Sequence, residues 1–190
     1  MFCYQCQETA KGTGCILKGV CGKESHTAQA MDLLLFVVRG ISVVADTLRK
    51  ADSPVSEEVN IFVTDALFCT ITNANFDDES ILKRVDRGLA LRNGLIQEAK
   101  HNKVFLPQVD ELTWQGTRDD YAEKAKTVGV LREQNEDLRS LKELLVYGLK
   151  VWQLIWSMLC AWDSMMIQFM FLCSVHWLPL RLSLYRQRNG

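Results

Sequence analysis

The sequence predicts an all-α fold, a helical bundle behind an amino-terminal cysteine-rich loop. Apolar residues recur at helical spacing from about residue 27 to residue 150, and no alternating stretch of ordinary strand length interrupts them. Ahead of that pattern, Cys3, Cys6, Cys15 and Cys21 stand at spacing C-x2-C-x8-C-x5-C among Gly12, Gly14, Gly19 and Gly22. Glycines let a backbone fold tightly around something small, and clustered thiols point to a metal centre.

Four thiolates suit a structural zinc or an iron-sulfur cluster. Zinc ribbons present two tight C-x2-C pairs, whereas here the second pair is opened to five intervening residues, as a bulkier centre needs. Side-chain-free glycines also let backbone N–H groups approach cluster sulfur and tune its potential. On spacing alone an iron-sulfur cluster leads, with zinc second and disulfides or unrelated thiols third.

The helices follow in order. Ser25 is a candidate cap for a first helix over about 27–50, with Met31, Leu34, Leu35, Val38, Ile41 and Leu48 inward and Arg49 and Lys50 at its negative end. Gly40 inside it costs about 1 kcal/mol against alanine, so close packing is expected there. A turn over 51–54 leads to a second helix over about 56–71, with Glu57 and Glu58 in its first turn and Val59, Phe62, Val63, Ala66 and Leu67 on one face. Asp77 or Asp78 caps a third helix to about Lys100, carrying Ile81, Leu82, Val85, Leu89, Leu95 and Ile96. Residues 101–117 hold Pro107 and Trp114 without a period and read as an extended connection. A short helix over about 118–128 follows, then a last one capped by Asn135 with Leu138, Leu141, Leu144, Leu145 and Leu149 inward.

Other chemically suggestive residues have plainer readings. Cys69 on an apolar helix is a core residue, since a free cysteine packs as a small hydrophobe. His26 reads as a capping or solvent residue, and Asp77, Asp78 and Glu79 as a helix start favoured by the dipole. Trp114 and Tyr121 read as packing for the connection.

The stretch MFCYQCQETAKGTGCILKGVCGK resembles the amino terminus of the hybrid cluster proteins, also called prismane proteins or hydroxylamine reductases. The likeness continues through EVNIFVTDALFCTITNANFDDE and NEDLRSLKELLVYGLK, covering about 150 residues. It is to the group with short cysteine spacing, so Cys3, Cys6, Cys15 and Cys21 are implied ligands of a [4Fe-4S] cluster. The resemblance implies reduction of hydroxylamine to ammonia and water, or of a related small nitrogen oxide such as nitric oxide. In the full-length parent that reaction belongs to a second, hybrid iron-sulfur-oxygen cluster whose His, Glu and Cys ligands lie in later domains. Those motifs are not present in this sequence, so a chain of this kind is expected to relay electrons from a redox donor protein and to be inactive as a reductase. No catalytic residue is assigned.

Composition changes after Lys150. Four of the five tryptophans and four of the six methionines lie in residues 151–190, with Asp163 the one acid and no lysine. Residues 151–178 are long and apolar enough for a membrane span, with arginines behind them, but Asp163 near the middle costs about 2.5 to 3.5 kcal/mol there. A shifted reading frame fits better. A permitted choice of codons for Val151 to Leu159, read from one base upstream, gives Gly-Met-Ala-Ala-Tyr-Met-Glu-His-Ala, the helix with which the resembling family continues. The organisation expected is a cluster-binding helical domain over 1–150 and a frameshifted, non-native tail over 151–190.

A net charge near −1 gives no reason to expect nucleic acid. Cys3 follows Met1 and Phe2 directly, leaving no room for a signal peptide ahead of the motif, so a cytoplasmic location is expected, where thiols stay reduced. A zinc-stapled helical interaction module and a membrane-anchored ferredoxin-like protein are the alternatives.

Overall fold

The computed structural model describes residues 1–3, 5, 6, 9–71 and 75–159. Its helices are α1 (Ser25–Lys50), α2 (Glu57–Cys69), α3 (Asp78–His101), the single turn α4 (Asp110–Thr113), α5 (Tyr121–Val128) and α6 (Glu136–Leu159), with 3₁₀ turns at Ala10–Gly12, Arg118–Asp120 and Val130–Arg132. Among the described residues no strand forms. One isolated antiparallel bridge joins Cys3 to Cys15.

α1 is central because it is apolar nearly all round, the pattern of a helix enclosed by others. Leu33, Leu34, Phe36, Val37, Ile41, Val44 and Leu48 are fully buried along it. α3 covers it most extensively, and α2, α4 and α5 take other sides. Length and composition would let α1 cross a membrane, but its apolar surface is already occupied within the bundle. α6 lies against α2.

The expected close packing at Gly40 is present, and its partner is the connection. A methyl group on Gly40 would meet the Glu111 carbonyl oxygen at 2.5 Å, so the backbone of α4 rests directly on α1. Arg92 of α3, with no exposed surface, clamps that crossing: its guanidinium donates to the Glu111 carbonyl at 2.9 Å and the Trp114 carbonyl at 2.7 Å. The stretch expected to be extended thus contains a helical turn, too short to show a period. Gly40→Ala is expected to destabilise the chain by about 1–3 kcal/mol through overpacking, against its gain in helix propensity. Gly94, exposed on α3 with open space around it, is the control: Gly94→Ala should stabilise by about 0.5–1 kcal/mol, read from denaturant midpoints.

The helix starts are mostly as expected. Asp77 Oδ1 accepts the Ser80 N–H at 3.1 Å and Asn135 Oδ1 accepts that of Leu138 at 2.9 Å. Ser25 is not a cap; it is the first residue of α1, and Glu24 ahead of it makes no capping bond through its side chain. Trp114 packs edge-on to Phe36 with centroids 5.9 Å apart, and Tyr121 is buried beside it.

The face of α6 differs from expectation at two of the five leucines expected inward, Leu138, Leu145 and Leu149 being half-buried. Leu141 and Leu144 are 58% and 68% exposed, while Val146, Lys150 and Gln153 form the buried face. Lys150 is long enough to lie along apolar surface and end on a polar group, the Thr70 carbonyl at 3.0 Å, so polar side chains share the inner face with Leu138, Leu145 and Leu149. The tail assigned to a shifted frame lies outside the described residues from 160 onward; residues 151–159 continue α6.

Candidate metal centre

The cysteine loop folds back on itself before α1 begins. Cys3 N–H donates to the Cys15 carbonyl at 3.1 Å and Cys15 N–H to the Cys3 carbonyl at 2.7 Å, which sets the first and third cysteines side by side. The return between them is the turn Ala10–Gly12, where Lys11 and Gly12 both have positive φ. Gly14, at φ 138°, lies against the Phe2 ring, which a side chain at that position would meet at 2.6 Å. Gly19 clears space for the last ligand candidate, since a methyl there would meet Cys21 Sγ at 3.0 Å.

Cys3, Cys6, Cys15 and Cys21 all carry free thiols. Cys15 is buried, Cys3 and Cys6 are half-buried and Cys21 is exposed. The Cys15 thiol is held below its ordinary pKa by the N–H groups of Ala10, at 3.4 Å from Sγ, and Val20, and by the Thr9 hydroxyl at 3.6 Å; burial acts the other way. Hydrogen bonds to sulfur favour the thiolate, the form that binds metal. Among the described residues, no three His, Cys, Asp or Glu side chains gather as donors to one metal ion. Each ligand of a four-iron cluster binds its own iron, so such a set rings a volume and does not meet at a point. Four free cysteine thiols, one of them with N–H groups directed at its sulfur, are the donor set such a cluster takes.

Cys69 and His26 take the plain roles expected of them. Cys69 is buried in the core, and His26 is largely exposed with Nε2 2.7 Å from Asp78 Oδ2. Periodicity did not single out the ionisable groups behind the loop. Asp32, Arg39, Glu143 and Lys150 interact across α1 and α6, and both the amino terminus and Cys3 lie within their electrostatic reach. Burial pushes the Asp32 carboxyl up to about 7 and Glu143 in the same direction. A raised carboxyl holds a proton in the folded chain that the unfolded chain has released, from about pH 4 to about pH 7. Its contribution therefore improves as pH falls through 7. Asp32→Asn is expected to stabilise the chain at pH 8 and to add nothing at pH 4, measured by urea unfolding at both values.

Comparison with known proteins settles the kinship. A family model described as Prismane/CO dehydrogenase matches residues 1–179. The chain belongs to that family. Over 151 residues it is 58% identical to a hydroxylamine reductase of Bacteroides thetaiotaomicron, covering 79% of this chain and 27% of that relative. A hydroxylamine reductase of Porphyromonas gingivalis is 49% identical over 151 residues, and one of Nitratidesulfovibrio vulgaris 48% identical over 157, each covering 79% of this chain and 28% of the relative. This member of the Prismane/CO dehydrogenase family thus spans just over a quarter of the length of the curated relatives it matches, and the similarity is to their amino-terminal region.

Proposed function

We propose that the chain is the electron-relay module of a hydroxylamine reductase, holding a [4Fe-4S] cluster on Cys3, Cys6, Cys15 and Cys21. The observation that carries this reading is the backbone bridge between Cys3 and Cys15, which pairs the first and third cysteines of the motif while the Ala10 N–H points at the buried thiol. Kinship to hydroxylamine reductases at 48–58% identity supports it. When bound, the cluster would accept and pass on single electrons. The residues of this chain would ligate it and hold Cys15 as thiolate. A redox donor protein supplies the electrons, and the cytoplasm is the location that keeps the thiols reduced.

The parent reaction, hydroxylamine to ammonia and water with two electrons and two protons, needs an open metal site where substrate binds beside proton donors. We assign that role to the hybrid iron-sulfur-oxygen cluster of longer relatives and none of it to the residues present here. We read residues 151–190 as the product of a shifted frame, on their composition; sequencing the gene across Lys150 tests that directly.

The test of function has two arms. Chain purified without oxygen should carry about four irons and as much acid-labile sulfide, with a broad visible absorption. Supplied with a strong one-electron donor, it should turn over hydroxylamine no faster than a Cys15→Ala control. Stoichiometric zinc without sulfide in chain produced with ample iron would overturn the cluster. Turnover above the control would overturn the relay-only assignment.

A further inference from the structure

Two lysine side chains are buried, Lys23 directly after the cysteine loop and Lys150 on α6. Lys23, two residues after Cys21, is 3% exposed, with Nζ 3.3 Å from Met31 Sδ and 5.9 Å from the centre of the Phe76 ring. Lys150 on α6 is 1% exposed and donates to the Thr70 carbonyl at 3.0 Å. Among the described residues neither ammonium forms an ion pair within 4.0 Å. Burying an ammonium without a counter-charge costs several kcal/mol, and a thioether, a ring face and one carbonyl offset only part of that.

The two cations are close enough to repel each other, and Lys150 is within electrostatic reach of the Cys3 thiol. Burial lowers the Lys150 ammonium to about 8, which leaves it largely charged at pH 7, and Glu143 and Asp32 act to favour that charge without coming within ion-pair distance of it. Capping explains part of Lys150, because Thr70 closes the carboxyl end of α2, where a cation is favoured. It does not explain Lys23, whose ammonium meets a thioether and a ring and caps no helix.

We propose that Lys23 and Lys150 are buried counter-cations for an iron-sulfur cluster on Cys3, Cys6, Cys15 and Cys21, and that they raise its reduction potential. The proposal rests on the cluster reading above. Four thiolates outweigh the charge of a [4Fe-4S] core, so the assembly is anionic and an added electron makes it more so. Fixed cations beside it favour the reduced form, net charge being one of the levers on cluster potential.

The experiment is anaerobic redox titration of the full chain, reconstituted with iron and sulfide, beside Lys150→Met, Lys150→Arg and Lys23→Met. Methionine keeps length and removes charge; arginine keeps charge. Each methionine variant should shift the one-electron equilibrium against the reduced form by about tenfold, which is 59 mV, while Lys150→Arg stays within about threefold of the parent. Where Lys150→Met loses its helical circular dichroism, Lys23→Met decides. Methionine variants with full iron content and the parent's potential overturn the proposal and leave the cluster standing. A parent chain that takes up no iron overturns the cluster reading and this inference with it.

Discussion

Replacing Cys15 with alanine is expected to empty the metal centre. Iron should fall from about four per chain to below about one, and the visible absorption should vanish with it. Cys15 is the buried thiol of the set and the one whose sulfur receives backbone N–H groups, so no neighbouring side chain can take its place. Alanine keeps the N–H and carbonyl that bridge to Cys3. The loop therefore retains its pairing, and the loss reports a missing ligand. Cys69→Ala, made at a buried cysteine outside the C-x2-C-x8-C-x5-C motif, should keep its iron at a cost in stability alone, because Cys69 is packed in the core at the end of α2 and takes a hydrogen bond from Asn75 Nδ2 at 3.2 Å. Iron and sulfide analysis of both variants, prepared side by side without oxygen, checks the pair.

The second large effect is expected at Phe36. Phe36→Ala should destabilise the chain by about 3–5 kcal/mol, lowering the unfolding midpoint by roughly 6–20 °C for a chain of this size. The ring is fully buried on α1, the helix that touches four others, so the surroundings have little freedom to close the cavity. Its loss also removes the edge contact with Trp114, at an interplanar angle of 74°, and the cation contact of Lys124 Nζ 4.8 Å from the ring. Calorimetry would check it; a change under about 1 kcal/mol would mean that α1 is not the centre of the core.

The helices were legible where an apolar period ran for several turns. α1 and α3 carry such periods, and Asp77 and Asn135 announced the starts behind them through side chains that reach a backbone N–H three residues on. α4 was not legible, because four residues between Pro107 and Trp114 cannot display a repeat. Two leucines of α6 depart from the period for a different reason. Leucines mark a core face only when nothing polar competes for it, and here Lys150 and Gln153 take the inner positions while Leu141 and Leu144 face out. Arg92 escaped notice in the same way: a charged side chain with no exposed surface becomes intelligible only once the carbonyls of Glu111 and Trp114 are seen converging on it. At the site, cysteine spacing identified the candidate ligands. That Cys3 and Cys15 share a backbone bridge, and that Lys23 and Lys150 lie behind the loop, depends on how the chain returns over residues 10–12 and how α6 packs, which spacing does not encode.

The unequal shelter of the four thiols carries a consequence for how the protein ages. Oxidants reach sulfur by diffusion, and thiolate sulfur at a surface climbs from sulfenic to irreversible acids before sulfur in a core does. Cys15 is enclosed and Cys21 stands in solvent, with the exposed Gly22 beside it. Exposure to air should therefore wear the site from one corner. The first lesion would be a single oxidised Cys21 on a loop whose Cys3–Cys15 pairing is still intact, an injury that a thiol reductant can reverse only while it stays at the sulfenic stage.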